Sequence, residues 1–172
     1  MYRRPAPIGL DCRGDEEAAY DRGLPRKDGA PGHAALTQLK SLAEGEDKEA
    51  MANLKTVELK AFVPAKNYEL SKRFYQDVGF ELKSDGDGVA YFCFGDSSFL
   101  LQDFYVKEFA ENLMLHLLVE DVDAWWAKLN EVGIAEKYGV KMSPVKQQPW
   151  RMRDFTLHDP SGVLWRVGQN TD

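Results

Sequence analysis

Three histidines, two cysteines and a set of aromatic residues are the side chains with obvious chemistry in this 172-residue chain. His33, His116 and His158 show none of the close pairing that a zinc or iron site draws on. His116, inside an apolar stretch, is the one placed to act as a ligand or general base. A hydrogen-bonded histidine in a cleft is the plainer reading, because a lone imidazole rarely makes a metal site. His158, beside a turn, reads as solvated. Cys12 and Cys93 make neither a disulfide framework nor a zinc spacing, which favours reduced thiols and a cytoplasmic location. Cys93, in an apolar strand with no base beside it, reads as buried and inert. No Ser-His-Asp arrangement or phosphate loop is evident. Trp150 follows Pro149 at a strand start and, with Phe62 and Phe104, can wall a ligand; Gln102 and Arg153 are polar groups for the same pocket or for the surface. Trp125 and Trp126 fall at helical spacing with Val122 and Leu129, which favours core packing over a stacking platform.

The elements that must position these residues come twice. Phe155 to Leu157 and Val163 to Val167 flank Asp159-Pro160-Ser161-Gly162, a turn in which proline sets one dihedral and glycine tolerates a positive φ. A similar block occurs earlier, where Val89 to Phe94 and Phe99 to Phe104 flank Gly95-Asp96-Ser97-Ser98. Before each block stands a strand and a helix. Thr56 to Val63 alternates as a strand, then Asn67 caps a helix that Gly79 stops; Leu113 to Val119 is a strand, then Asp121 caps a helix that Gly133 stops. Cap and stop are separated by the same interval in both. Asp85 to Gly88 marks another turn, residues near Lys107 to Asn112 read as a polar connector, and a less regular stretch through Ser143-Pro144 leads to Trp150. The pattern predicts an α+β fold of two β-α-β-β-β modules, about 56–106 and 113–170, whose curled sheets enclose a cleft with the helices outside. Alternation then sorts the first strands. Val57, Leu59, Ala61 and Val63 should lie under the first helix and Leu115, Leu117 and Val119 under the second. Glu58, Lys60, Phe62, Met114, His116 and Leu118 should face the cleft.

Composition narrows the class. Hydrophobic residues make up 44% of the chain, enough for one core, and the net charge of −6 argues against a nucleic-acid or anionic-membrane surface. No apolar run is long enough to span a bilayer and no signal peptide is seen. All four tryptophans and all nine phenylalanines follow Met51, so residues 1–50 read as a disordered leader and 51–172 as the domain. A weak helix is expected from about His33 to Ala43, and Met51 is a candidate biological start.

The sequence resembles the vicinal-oxygen-chelate superfamily, the group of glyoxalases, bleomycin-resistance proteins and extradiol dioxygenases. The resemblance runs from about Thr56 to Asn170 and rests on Ser71-Lys72-Arg73-Phe74-Tyr75 with Gly79-Phe80-Glu81, Leu100-Leu101-Gln102, Val119-Glu120-Asp121-Val122 and Asp159-Pro160-Ser161-Gly162. Gln148-Pro149-Trp150 through Asp154-Phe155-Thr156-Leu157 is most similar to the bleomycin-resistance branch. Metal-dependent members place a histidine early in each first strand and a glutamate in the last strand. Here those positions carry Glu58, Met114 and Arg166, and neither a thioether nor a guanidinium suits a divalent metal. The resemblance therefore implies a homodimeric small-molecule binder with no metal and no cofactor. Glu58, Lys60, Phe62, Gln102, Phe104, Met114, His116, Trp150 and Arg166 are its expected ligand-binding residues, with Glu58 and Arg166 pairing where a metal would sit. Sequestration of a small, partly aromatic or cationic antibiotic fits that branch, and 14 basic against 18 acidic residues after Met51 suit a cationic ligand. The competing class is a glyoxalase-like lyase or dioxygenase holding a metal through Glu58, Gln102 and His116. A third reading is a binding module for an ordinary metabolite.

Overall fold

The computed structural model of the chain describes residues 53–171. The leader, its weak helix and the start at Met51 lie outside the described residues. A boundary between compact units falls between Leu59 and Lys60. By itself, the segment 53–59 is irregular and exposed. This corrects the strand expected from Thr56: Val57 is 81% and Leu59 97% exposed, and β1 spans only Phe62–Pro64. The register gives the reason. Phe62 pairs with Leu100 of β4 (Ser97–Gln102), so a strand carried backward would reach the start of β4 already at Leu59.

From β1 the chain runs through α1 (Tyr68–Val78), β2 (Glu81–Gly86), β3 (Val89–Phe94) and β4, then α2 (Lys107–Ala110). The second series is β5 (Met114–Leu118), α3 (Val122–Val132), α4 (Ile134–Tyr138), β6 (Lys146–Gln148), β7 (Met152–His158) and β8 (Leu164–Asn170). The strands form two four-stranded sheets, ordered β1-β4-β3-β2 and β5-β8-β7-β6. In each, the first strand is parallel to its neighbour and the rest are antiparallel. This is the α+β architecture that the repeat foretold.

The caps act as their residue types require. Asn67 Oδ1 accepts from the Leu70 amide at 3.0 Å, and Asp121 Oδ1 accepts from the Ala124 amide at 2.9 Å, satisfying donors at each helix start. Gly133 ends α3 at φ 67°, but the chain re-enters a helix at once and α4 stops at Gly139, φ 61°. The short helices α2 and α4 and the strand β6 replace stretches expected to be irregular. β2 runs on to Gly86, so the turn tightens to Asp87-Gly88, both at positive φ, the geometry whose twist suits a two-residue hairpin.

One core serves both series. The side of each sheet that carries its helix contributes: Val63, Phe92, Phe99 and Leu101 from the first, Leu117, Phe155, Leu157, Trp165 and Val167 from the second. Trp165 sits with ring centres 5.8 Å from Tyr75, 5.6 Å from Phe80 and 5.4 Å from Phe99. Trp125 packs on Phe94 at 4.9 Å, and Trp126 donates its indole N–H to the Ser143 carbonyl at 3.0 Å, so both tryptophans are structural. The β3 strand is buried on both faces, including Tyr91 and Cys93. Cys93 is disulfide-bonded, which overturns the expectation of a reduced thiol.

A polar knot crosses this core. Asp159, 2% exposed, accepts through Oδ1 from the amides of Ser161 and Val163, each at 2.8 Å, and through Oδ2 from the Tyr75 hydroxyl at 2.7 Å. Trp165 Nε1 donates to the same hydroxyl at 3.2 Å, and Ser161 Oγ accepts from the Lys66 amide at 3.0 Å. Burial pushes the Asp159 carboxyl above its ordinary range against the lowering effect of its donors, and burial with the adjacent Asp159 charge pushes Tyr75 well up. The Asp-Pro-Ser-Gly turn is thus less a loop than a clasp between the second sheet and α1.

Candidate functional site

Each sheet has one side toward the core and one turned away, and the residues expected at the site divide between the two outward faces. In the second sheet, alternation along β5 holds: Leu117 is buried, while Met114, His116 and Leu118 are exposed. Register then places Leu164, Arg166 and Gly168 of β8 beside these three, in that order. Across the antiparallel ladder, Thr156 stands opposite Arg166, Asp154 opposite Gly168 and Met152 opposite Asn170. A mixed polar and apolar surface results, spread over three strands.

Arg166 organises it. Its Nη1 lies 2.7 Å from Oδ2 of Asp154, a carboxylate only 2% exposed, whose other oxygen accepts from Gln148 Nε2 at 2.8 Å. Both oxygens of the buried anion are therefore matched, as burial demands. The guanidinium also lies over the Trp150 ring, 5.6 Å from its centre, while Trp150 itself remains 57% exposed. Asp154 is thus a carboxylate partner of Arg166 that the sequence did not single out. Glu58 sits in the exposed segment ahead of β1, in the other compact unit, because the strand meant to carry it is not formed.

Gly168 explains how His116 sits. A Cβ at Gly168 would meet Met152 Sδ at 2.7 Å and His116 Nε2 at 3.0 Å, so the imidazole and the thioether lean over a residue with no side chain. His158, expected to be solvated, is only partly exposed, and its Nδ1 is buried with no partner among the described residues. Arg153 proves to be a surface residue, paired through both guanidinium nitrogens with Asp123 of α3.

The outward side of the first sheet holds the remaining group. Phe62, Gln102 and Phe104 come together and, with Pro64, Phe109 and Leu113, line a pocket of about 230 Å³, whereas Trp150, expected to share a wall with Phe62 and Phe104, lies against Arg166 of the second sheet instead. Gln102 is the one side chain among them with amide hydrogen-bonding groups. Lys60 is elsewhere engaged, its ammonium 4.8 Å from the centre of the Tyr91 ring.

Sequence reasoning missed Asp154, Gln148 and Met152 on one face and Phe109 and Leu113 on the other. The signal for Asp154 and Met152 was present: they precede Thr156 by steps of two, on the face opposite Phe155 and Leu157. Gln148 needed β6, whose three residues carry no strand pattern, and Phe109 needed the unforeseen helix α2.

The residues do not fit a resident divalent metal. Met114 and Arg166 occupy two of the three expected ligand positions, Arg166 brings a fixed positive charge, and among the described residues no three His, Cys, Asp or Glu side chains group as a metal site.

Among solved structures, the bleomycin resistance determinant encoded on transposon Tn5 is similar at TM-score 0.60 and 22% identity, covering 67% of this chain and 98% of that one. TnmS3, an antibiotic binding protein from Streptomyces sp. CB03234, matches at TM-score 0.55 and 28% identity over 68% of this chain and 99% of its own. A lactoylglutathione lyase from Agrobacterium tumefaciens matches at TM-score 0.51 and 17% identity, over 67% and 94%, so the fold alone does not separate binders from enzymes. No curated protein matches the chain. The family model for the Glyoxalase/Bleomycin resistance protein/Dioxygenase superfamily matches residues 58–167, and the chain belongs to that superfamily.

Proposed function

We propose that the protein is a metal-independent small-molecule binder of the antibiotic-sequestering type, acting as a homodimer. The observation that carries this reading is the occupancy of the outward face of the second sheet. Where metal-dependent relatives are expected to hold a cation, this chain sets the thioether of Met114 and a guanidinium tied to a buried carboxylate. The structural similarity to a bleomycin resistance determinant and to an antibiotic binding protein supports the same class. Exposed apolar side chains supply the binding material: Phe62, Phe104 and Phe109 by one sheet, Met114, Leu118 and Trp150 by the other.

Dimerisation accounts for their exposure. A partner's second sheet laid over the first-sheet pocket closes a cleft from two chains and brings Phe62, Gln102 and Phe104 opposite Met114, His116 and Arg166. The acidic charge of the chain keeps nucleic acid out of the reading.

The test is a thermal-shift titration with bleomycin, run with and without a chelator, beside elemental analysis and light scattering. Stabilisation that persists in chelator, from a dimer carrying far less than one metal per chain, is expected. Stabilisation abolished by chelator, or metal near one equivalent, refutes metal independence and favours the lyase or dioxygenase.

A further inference from the structure

We infer that the outward face of the second sheet is a receptor for an organic oxyanion, a carboxylate or its chemical equivalent, carried on a flat ring. The inference rests on the small-molecule reading above and names the ligand chemistry of the same site.

Three arrangements lead to it. The first is how Arg166 is held. Its Nη1 is committed to Asp154, but Nε and Nη2 have no hydrogen bond among the described residues, and the side chain keeps 27% of its exposure. An ion pair on one edge and the Trp150 ring at 5.6 Å fix the group, so little freedom remains to be lost when an anion arrives. The partner carboxylate does not cancel this on the outside. Asp154 is buried and both its oxygens are taken, by Arg166 and Gln148, so a ligand meets the cation and not the anion.

The second is His116. It pairs in register with Arg166 on the adjoining parallel strand, where strands run about 4.8 Å apart. It is exposed and makes no hydrogen bond among the described residues, so its ring offers an N–H donor beside the guanidinium. The bare Cα of Gly168 leaves room for the ring to lie flat against the sheet.

The third is the sign of the surroundings. Lys146 of β6 stands in register with Asp154 on the same face and is exposed, adding a second cation to that of Arg166. A basic cluster on a chain of net charge −6 runs against the average of the molecule and against the cationic ligand that composition suggested. Trp150, more than half exposed beside the guanidinium, gives the ring of such a ligand a flat wall. A planar carboxylate meets both nitrogens of a guanidinium edge at once, which an amide or an alcohol cannot match.

The experiment compares 2-naphthoate, 2-naphthamide and 2-naphthylmethylammonium by calorimetry on the full chain in chelator. Charge-assisted hydrogen bonds predict that the carboxylate binds about 10-fold or more tighter than the amide. Arg166→Lys keeps a charge against Asp154 but loses the fork, and His116→Ala alters an exposed side chain. Each is expected to shrink the ratio of carboxylate to amide affinity several-fold, with thermal stability checked in parallel. Equal binding of all three compounds overturns the oxyanion assignment and leaves the small-molecule reading standing. Preference for the ammonium overturns it in favour of a cationic ligand. No binding by any of them also overturns it, and the bleomycin titration then decides whether the wider reading falls as well.

Discussion

Tyr75→Phe removes one oxygen atom from the centre of the shared core and should cost the protein much of its margin. Two bonds end on that atom: it donates to Oδ2 of Asp159 at 2.7 Å and accepts from Trp165 Nε1 at 3.2 Å. A hydrogen bond to a charged group is worth about 1.5–3 kcal/mol, and leaving a buried indole N–H unmatched adds about 1 kcal/mol, so a loss of about 3 kcal/mol is expected. With a urea dependence of about 2 kcal/mol per molar for a domain of this size, the midpoint falls by roughly 1.5 M at neutral pH. The pH dependence sharpens the test. Because burial raises the Asp159 carboxyl, the folded state holds its proton more readily than the unfolded one. That contribution to stability is fully present below the ordinary carboxylate pKa and is lost as pH rises through the raised one. Removing the Tyr75 donor raises the carboxyl further, since that bond favours its charged form. The variant's deficit should therefore be greatest at pH 7 and shrink on acidification, as the bond to an anion becomes a bond to a neutral acid. Urea titrations of both proteins across the acid range measure this. A deficit under about 1 kcal/mol at neutral pH, or one that does not change with pH, refutes the role given to the hydroxyl–carboxylate contact.

Other substitutions test other parts of the account. Gly168→Ala should leave thermal stability nearly unchanged, because the added methyl presses on the flexible ends of Met152 and His116, yet it should weaken ligand binding in calorimetry by moving both. Trp150→Ala, at an exposed position, should change the unfolding free energy by no more than about 0.5 kcal/mol while reducing ligand-induced stabilisation; a large loss of intrinsic stability would show the ring to be core instead. Asp121→Ala should cost about 1 kcal/mol in urea titration, since the Ala124 amide loses its 2.9 Å acceptor.

The legible parts of the sequence were those governed by local rules. Asn67 with Gly79, and Asp121 with Gly133, act on the backbone within a few residues, so their meaning does not wait for a tertiary partner. The alternation along Met114 to Leu118 was equally readable, because one side of β5 faces the core and the other does not. Thr56 to Val63 misled for the opposite reason. Its alternation is as good as that of β5, but a strand also needs a neighbour, and β4 ends the pairing near Leu59. That one error left Glu58 outside β1. The identity of the carboxylate beside Arg166 depended on register between β7 and β8, which no single strand encodes. Asp159 was noticed as a turn former, yet its bond to Tyr75 spans 84 residues and leaves no local trace.

That clasp also bears on how the chain reaches its native state. The hairpins β2–β3, β3–β4 and β7–β8 join neighbours in sequence and can close early, whereas Tyr75, Asp159 and Trp165 meet only when both halves are in place. Neither half owns a sealed interior before then, since Trp165 of one lies among Tyr75, Phe80 and Phe99 of the other. The knot is therefore expected to form after the rate-limiting barrier. In stopped-flow measurements, Tyr75→Phe should speed unfolding while leaving the refolding rate nearly unchanged, and a slowed refolding limb would place the clasp in the folding nucleus. Late closure makes the lifetime of the folded protein, more than the speed of its making, the property that the Asp159 turn controls.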